Sequence, residues 1–201
     1  MKIAIIGDSG HAGDVADIAI DNGYQEIIFL GRENKKENFC GFRVMKDDME
    51  VVGCLAGKGF QFAIGIGDSN VRNAIYERYP NLSYPTIIHS KASLGNIQKN
   101  SWRHNKGIII AAGARITNNV SIGSFGFIGV NAVVGHDCVL DDFVSLMPSS
   151  VISGNVHIKN GSYIGCNASI RQGISECMLS VGPNAIVGMG AVVLDDVPEN
   201  S

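Results

Sequence analysis

The chain has 201 residues, enough for one large or two small domains, and 45% hydrophobic with 17% charged residues marks it as globular rather than disordered. A formal net charge of −3 without a basic stripe argues against nucleic-acid binding, and no stretch is long enough to cross a bilayer. Cys40, Cys54, Cys138, Cys166 and Cys177 form no CxxC pair, so free thiols in a reducing cytoplasm are expected, with Cys138 on an inward position.

The opening MKIAIIG is too short for a signal-peptide core and reads as a buried first strand, Lys2 to Ile6. The turn Gly7-Asp8-Ser9-Gly10-His11-Ala12-Gly13 follows, then a helix through Val15, Ile18 and Ala19 that ends at Gly23. A second strand is expected through Ile27 to Leu30, and a third from Phe60 to Ile66. Gly67-Asp68-Ser69-Asn70 then turns into a helix through Val71, Ile75 and Tyr76. Alternating strands and helices predict a parallel sheet.

Pro80 and Pro85 bracket a boundary near residue 85, giving two expected domains, 1–85 and 86–201. Repeat-like strands begin at Thr86-Ile87-Ile88-His89 and are irregular from Asn96 to Lys106. Then Ile110, Ile116, Ile122, Ile128, Val134, Leu140, Leu146, Ile152, Ile158, Ile164 and Ile170 follow one another at steps of six, and the residue two before each is small or aliphatic. This is a hexapeptide-repeat solenoid of short strands and tight corners, because residues two apart on a strand share a face. An ordinary sandwich would alternate with period two between irregular turns. The register returns at Val181, Val187 and Val193, so five extra residues are expected to protrude as a loop at Glu176 to Ser180.

Two clusters could carry chemistry. The G-x-x-G-x-x-G turn between a strand and a helix suits a phosphate, although glycine also serves tight turns. A region of about 85 residues fits a mononucleotide group better than NAD. Gly135-His136-Asp137 lies at a solenoid corner, where the carboxylate could hold the imidazole in one tautomer for general-base work. Taken alone, such a pair reads first as a solvated loop histidine with an incidental acidic neighbour. His157 should point outward, His89 closes an apolar run, His104 sits in the irregular stretch, and His11 lies within the glycine turn.

In order along the chain, GDSGHAGDVADIA, AIGIGDSNVR, PTIIH, the hexads, VVGHDCVLDDF, NASIRQGI and VGMGAVVLDDVP closely resemble the PglD/NeuD-type sugar acetyltransferases. The resemblance implies an α/β Rossmann-like domain for a nucleotide sugar, followed by a left-handed parallel β-helix for acetyl-CoA. It also implies homotrimers with active sites between adjacent β-helices and no metal. It assigns the general base to His136, with Asp137 as its acidic neighbour. Gly7, Ser9, Gly10 and His11 would line the nucleotide-sugar site, with Arg32 near the base and Gly67 and Asp68 opposite. Gly154, Cys166, Gly188 and Met189 would contact the CoA arm.

The chain departs from the family's pattern at Gly129, where relatives often carry Asn, and at Ser145, where some carry a second histidine. It departs again at Gly31-Arg32, where many carry two acidic residues, and in its short ending at Val197-Pro198-Glu199-Asn200-Ser201. The implied reaction is acetyl transfer to the amino group of a nucleotide-linked amino-deoxy sugar, UDP-linked for preference, in surface-glycan synthesis. O-acetylation of a sialic acid is the nearest alternative and a non-catalytic nucleotide-sugar binding protein a further one. A zinc β-helix enzyme of the carbonic-anhydrase type would need a histidine spacing that His104, His136 and His157 do not have.

Overall fold

The structure is a computed structural model that describes residues 1–32, 37–96 and 105–201. Its first unit runs β1 (Lys2–Ile6), α1 (Gly10–Asp21), β2 (Glu26–Gly31), β3 (Asn38–Phe39), β4 (Phe42–Lys46), α2 (Met49–Gly57), β5 (Gln61–Ile64) and α3 (Ser69–Arg78). The sheet order is β3-β4-β2-β1-β5, and every pairing is parallel except the β3–β4 hairpin. Alternation on β1 explains its apolar run: Ile3 and Ile5 join the cluster beneath α1, while Ala4 and Ile6 join the one with α2 and α3. Because β2 and β5 flank β1 on opposite sides, the order reverses at β1. The crevice beyond the carboxyl ends of β1 and β5 is therefore where such a sheet takes a ligand.

From Ile87 the chain winds into a left-handed parallel β-helix of three ladders. The first face stacks Ile87–Ile88, Ile109–Ile110, Phe127–Ile128, Ser145–Leu146, Tyr163–Ile164 and Ile186–Val187. The second stacks Ser93–Leu94, Arg115–Ile116, Val133–Val134, Val151–Ile152, Ser169–Ile170 and Val192–Val193. The third stacks Ser121–Ile122, Val139–Leu140, Val156–Ile158 and Leu179–Val181. Partners in regular coils lie eighteen residues apart, as in Val133 with Val151, so three hexads make one turn. The eleven aliphatic positions fill the prism axis at 1% exposure or less, and Ile108, Ala114, Ala132, Cys138 and Val144 beside them are equally sealed.

Corners recur with the same period. Asn119, Phe125, Asn131, Asp137, Phe143, Ser149, Asn155 and Asn167 all sit at φ between 55° and 59°, and Gly107, Gly113 and Gly161 occupy equivalent positions. Asn and Asp tolerate this left-handed conformation best among residues with a side chain, which accounts for their number here. The coil from Ile87 to Ile109 carries four more residues than the regular eighteen, in the stretch where the hexad register was irregular.

The five-residue excursion differs from expectation. Leu179 and Ser180 are strand residues paired with Val156 and His157, and Leu179 is 5% exposed in the core. Gly173 is still in register, donating to the carbonyl of Gly154, so the excursion is Ile174 to Met178, closed by reciprocal Ile174–Cys177 hydrogen bonds.

The first unit covers the first face of the prism. Ile87, Ile109, Ala111, Phe127 and Met147 share a cluster with β1 and α1, while Phe125 and Phe143, ring centroids 5.1 Å apart, pack with Tyr84 and β5. Arg72 on α3 is 2% exposed and reaches across the junction to the carbonyls of Phe125 and Phe143 and to the Ser145 hydroxyl. Ser145 also donates to the Gly67 carbonyl, so it is part of the joint between units.

Candidate active site

Three regions carry the expected site residues, and one chain does not bring them all together. At the end of β1, Gly7 adopts φ +123° and donates to the Leu30 carbonyl, a conformation that other residues strongly resist. Ser9 caps α1 by position, but its side chain makes no capping hydrogen bond and the first turn holds no acid. α2 and α3 are instead each capped by their own aspartate, Asp48 and Asp68. The Ala12 amide already donates to the Ser9 carbonyl, so the first-turn amides of Gly10 and His11, with the positive dipole end, are the ones offered to an anion. Asp68, expected to face the ligand, spends one carboxylate oxygen on the Val71 amide at 3.0 Å.

His11, Gly67, Asp68, Ser69 and Asn70 line one cavity of about 480 Å³, closed on its other side by Met147, Tyr163, Asn184 and Ile186 of the prism. These prism residues were not distinguishable in the sequence, since their hexad slots resemble all the others. The His11 ring packs edge-on against Phe127 at 4.4 Å, and its Nε2 is buried without a hydrogen-bond partner. Burial holds this imidazole below its ordinary pKa, the Arg72 charge pushes the same way, and Asp14 opposes them. Arg32 is exposed at the end of β2. Beside it, a Cβ on Gly31 would stand 2.8 Å from Asp8 Oδ2, so a side chain there would have to displace the Asp8 carboxylate.

His136 lies elsewhere, at the edge between the second and third faces, with its side chain 63% exposed. Its Nδ1 is 2.7 Å from Asp137 Oδ2, while Asp137 Oδ1 accepts from Asn119 Nδ2 at 2.6 Å. Hydrogen bonds from Asn119 and then from His136 hold the Asp137 carboxyl below the usual carboxylate range. An ionised carboxylate only accepts, so Nδ1 carries a proton, and in the neutral ring Nε2 keeps its lone pair. Gly154, expected to touch CoA, is the floor under this ring, since a Cβ there would be 2.6 Å from Cε1 and Nε2.

Further along the same edge, Arg171, Gly173, Ile174, Met178, Asp195 and Asp196 line a hollow of about 530 Å³ beside the excursion. Cys166, Gly188 and Met189 lie on a different edge, between the first and second faces, with Met189 79% exposed. His157 is outward as expected and bonds Asp141 at 3.0 Å, while His89 Nδ1 accepts from the Lys91 amide. His104 lies outside the described residues. Among those described, no group of three His, Cys, Asp or Glu side chains is arranged to hold a metal ion, and no helix is long and apolar enough to cross a membrane.

Comparison with known proteins gives these features a family. Residues 2–79 match the PglD N-terminal domain. The acetyltransferase domain of PglB from Neisseria gonorrhoeae FA1090 superimposes with a TM-score of 0.87 at 30% identity, over 98% of this chain and 93% of that one. The chain belongs to the PglD-type acetyltransferases. Within this family, a histidine-to-asparagine mutant of perosamine N-acetyltransferase from Caulobacter crescentus, solved with CoA and GDP-perosamine, gives a TM-score of 0.87 at 26% identity over 100% of this chain and 91% of that one. GDP-perosamine N-acetyltransferase of Escherichia coli O157:H7 is 40% identical over 76 residues, which span 38% of this chain and only 34% of that protein's length. The two-unit architecture of this PglD-type chain is thus shared from end to end with solved relatives.

The first unit covers the first face, and the edge bearing His136 is the one opposite that face of a three-sided prism. Within a single chain, the His11 cavity therefore lies along the first face and its edge with the third, whereas the His136 imidazole stands on the edge between the second and third.

Proposed function

We propose that the chain transfers the acetyl group of acetyl-CoA to the amino group of a nucleotide-linked amino-deoxy sugar, with residues 1–85 holding the nucleotide sugar and 86–201 the donor. The observation that carries this reading is the exposed His136 ring, whose Nδ1 faces an ionised carboxylate and whose Nε2 is free. As the amine nitrogen attacks the thioester carbonyl, Nε2 takes the amine proton. The tetrahedral adduct then collapses, the carbon–sulfur bond breaks, and the CoA sulfur leaves as thiolate to receive that proton. No covalent enzyme intermediate is required. Positioning and base assistance suffice, the latter contributing about a hundred- to ten-thousand-fold.

The nucleotide diphosphate is assigned to the free N-terminus of α1, with Gly7, Ser9, Gly10 and His11 around it and Arg32 toward the base. The donor arm is assigned to the edge that carries His136 and Gly154. There Ile174 and Met178 offer apolar contact and Arg171 a cation for phosphate. Cys166, Gly188 and Met189, one edge away, would meet that arm from an adjacent chain. A working site then needs the His11 cavity of one protomer against the His136 edge of another, which supports a homotrimer. Sequence reading alone favours UDP. A GDP-perosamine enzyme is 40% identical over 76 residues, so the guanine-linked form is the first acceptor to offer.

Free-thiol release from acetyl-CoA, measured against a panel of GDP- and UDP-amino sugars and sialic acid, tests reaction class and acceptor together. Thiol release dependent on one amino sugar, with an N-acetyl product, is expected. Release only with sialic acid, or sugar binding without thiol release, would overturn the assignment.

A further inference from the structure

Asparagine is frequent at the left-handed corners, and its usual task there is local. The Asn131 amide lies over Gly113, and that of Asn184 over Gly161, so closely that a Cβ on either glycine would be within 2.4 Å of the amide oxygen. Asn119 does something else. One coil below Asp137, it directs Nδ2 at Oδ1 of that carboxylate at 2.6 Å, while the other oxygen holds His136 Nδ1 at 2.7 Å. Both residues of this stacked pair are in the left-handed conformation, Asn119 at φ 57° and Asp137 at φ 58°. The two backbone positions are fixed by the solenoid, and the Asp137 amide donates to the Asn118 carbonyl at 3.1 Å.

We propose that Asn119 is a positioning residue for His136: its amide anchors one oxygen of Asp137, so that the other can hold the imidazole as the Nδ1–H tautomer over Gly154. This rests on the reading of His136 as the base and adds a residue that neither touches the reacting atoms nor belongs to the His-Asp motif. A carboxylate with one oxygen tied down has one orientation to offer the ring. Freed of Asn119, Asp137 is an exposed side chain that rotates, and the neutral imidazole exchanges between tautomers, of which only one leaves Nε2 able to accept a proton.

Asn119→Gly removes the amide while keeping a residue that adopts positive φ without cost. The measurement is the 15N spectrum of the His136 ring in the ligand-free protein, at a pH where it is neutral, beside kcat and KM. Expected are a shift from predominantly Nδ1–H to mixed tautomers and a fall in kcat of about ten-fold, part of what base assistance contributes, with KM for both substrates and the melting temperature near wild type. Asn119→Asp, which sets a second carboxylate against Asp137, should disturb the tautomer at least as much. An unchanged tautomer in Asn119→Gly would overturn the proposal, as would unchanged kcat. Because the spectrum needs no acceptor, it judges Asn119 separately from the assigned reaction, which the His136→Ala variant judges.

Discussion

The Arg72 guanidinium donates to the Phe143 carbonyl at 2.7 Å, a bond between the last helix of the first unit and an edge of the prism. Around it stand the carbonyls of Phe125, Ile66 and Gly67 and the Ser145 hydroxyl, and among the described residues no carboxylate is in contact. Desolvation lowers its pKa to about 10, with Asp68 acting in the opposite direction, so the residue remains charged at neutral pH. Hydrogen bonds to a charged donor are worth about 1.5–3 kcal/mol each, and the freed carbonyls would be buried without partners. Arg72→Met should therefore cost on the order of 3 kcal/mol, read as a lower urea midpoint and as earlier proteolytic cutting between residues 79 and 86.

Gly154→Ala tests the floor under the imidazole. The added methyl would overlap the ring, which is the movable end of an exposed side chain, so the fold should accommodate the change by displacing His136. We expect a melting temperature close to wild type with kcat reduced at least ten-fold, since misplacing a reacting group by about 1 Å costs up to a hundred-fold. A normal kcat would mean that the ring does not work from its present seat.

Mixed assemblies test whether one site spans two chains. His136→Ala should lower kcat by about a hundred- to ten-thousand-fold. A variant blocked at the α1 N-terminus, Gly10→Glu, should lose sugar binding. Co-expressed, the two should regain part of the wild-type activity, because some interfaces pair an intact cavity with an intact imidazole. No recovery in copurified mixtures would place both halves on one protomer.

Acid should loosen the protein through His11. Its folded-state pKa lies below 6.5 because of burial first and the Arg72 charge second, so the unfolded chain binds the proton more tightly. The stabilisation is complete above pH 6.5 and is lost as pH falls through the lower folded value. The urea midpoint should drop as pH falls below 6.5, and His11→Gln should flatten that drop.

Ile152 lies on the prism axis at 0% exposure, between coils whose backbones are locked in ladder. Such a site cannot collapse around a void, so Ile152→Ala should cost about 2–5 kcal/mol by chemical denaturation.

The hexads were legible because axial positions accept only aliphatic side chains, whatever the function. The excursion was harder to place for a physical reason. Ile174-Ser175 and Leu179-Ser180 carry the same apolar–serine pair five residues apart, so either satisfies the strand register, and only the pairing with Val156 and His157 decides between them. The His-Asp corner could be read as a motif, but its dependence on Asn119 could not, because corner asparagines look alike until their partners are known. Arg72 gave no signal either. In SNVRNAIYER it reads as a surface arginine, and most of its partners are backbone carbonyls, which any residue supplies. The stretch from Asn38 to Gly57 lacks periodicity strong enough to separate its hairpin from α2.

Eighteen residues per turn also sets a ruler along the prism. Asn118, His136 and Gly154 occupy the same corner slot in successive coils, and neighbouring strands in a sheet stand about 4.8 Å apart. The height of the imidazole above its substrates is thus quantised: moving the histidine codon by eighteen positions shifts the group by one rung, and intermediate heights are inaccessible. Any adjustment finer than a rung has to come from the residues that tilt the ring.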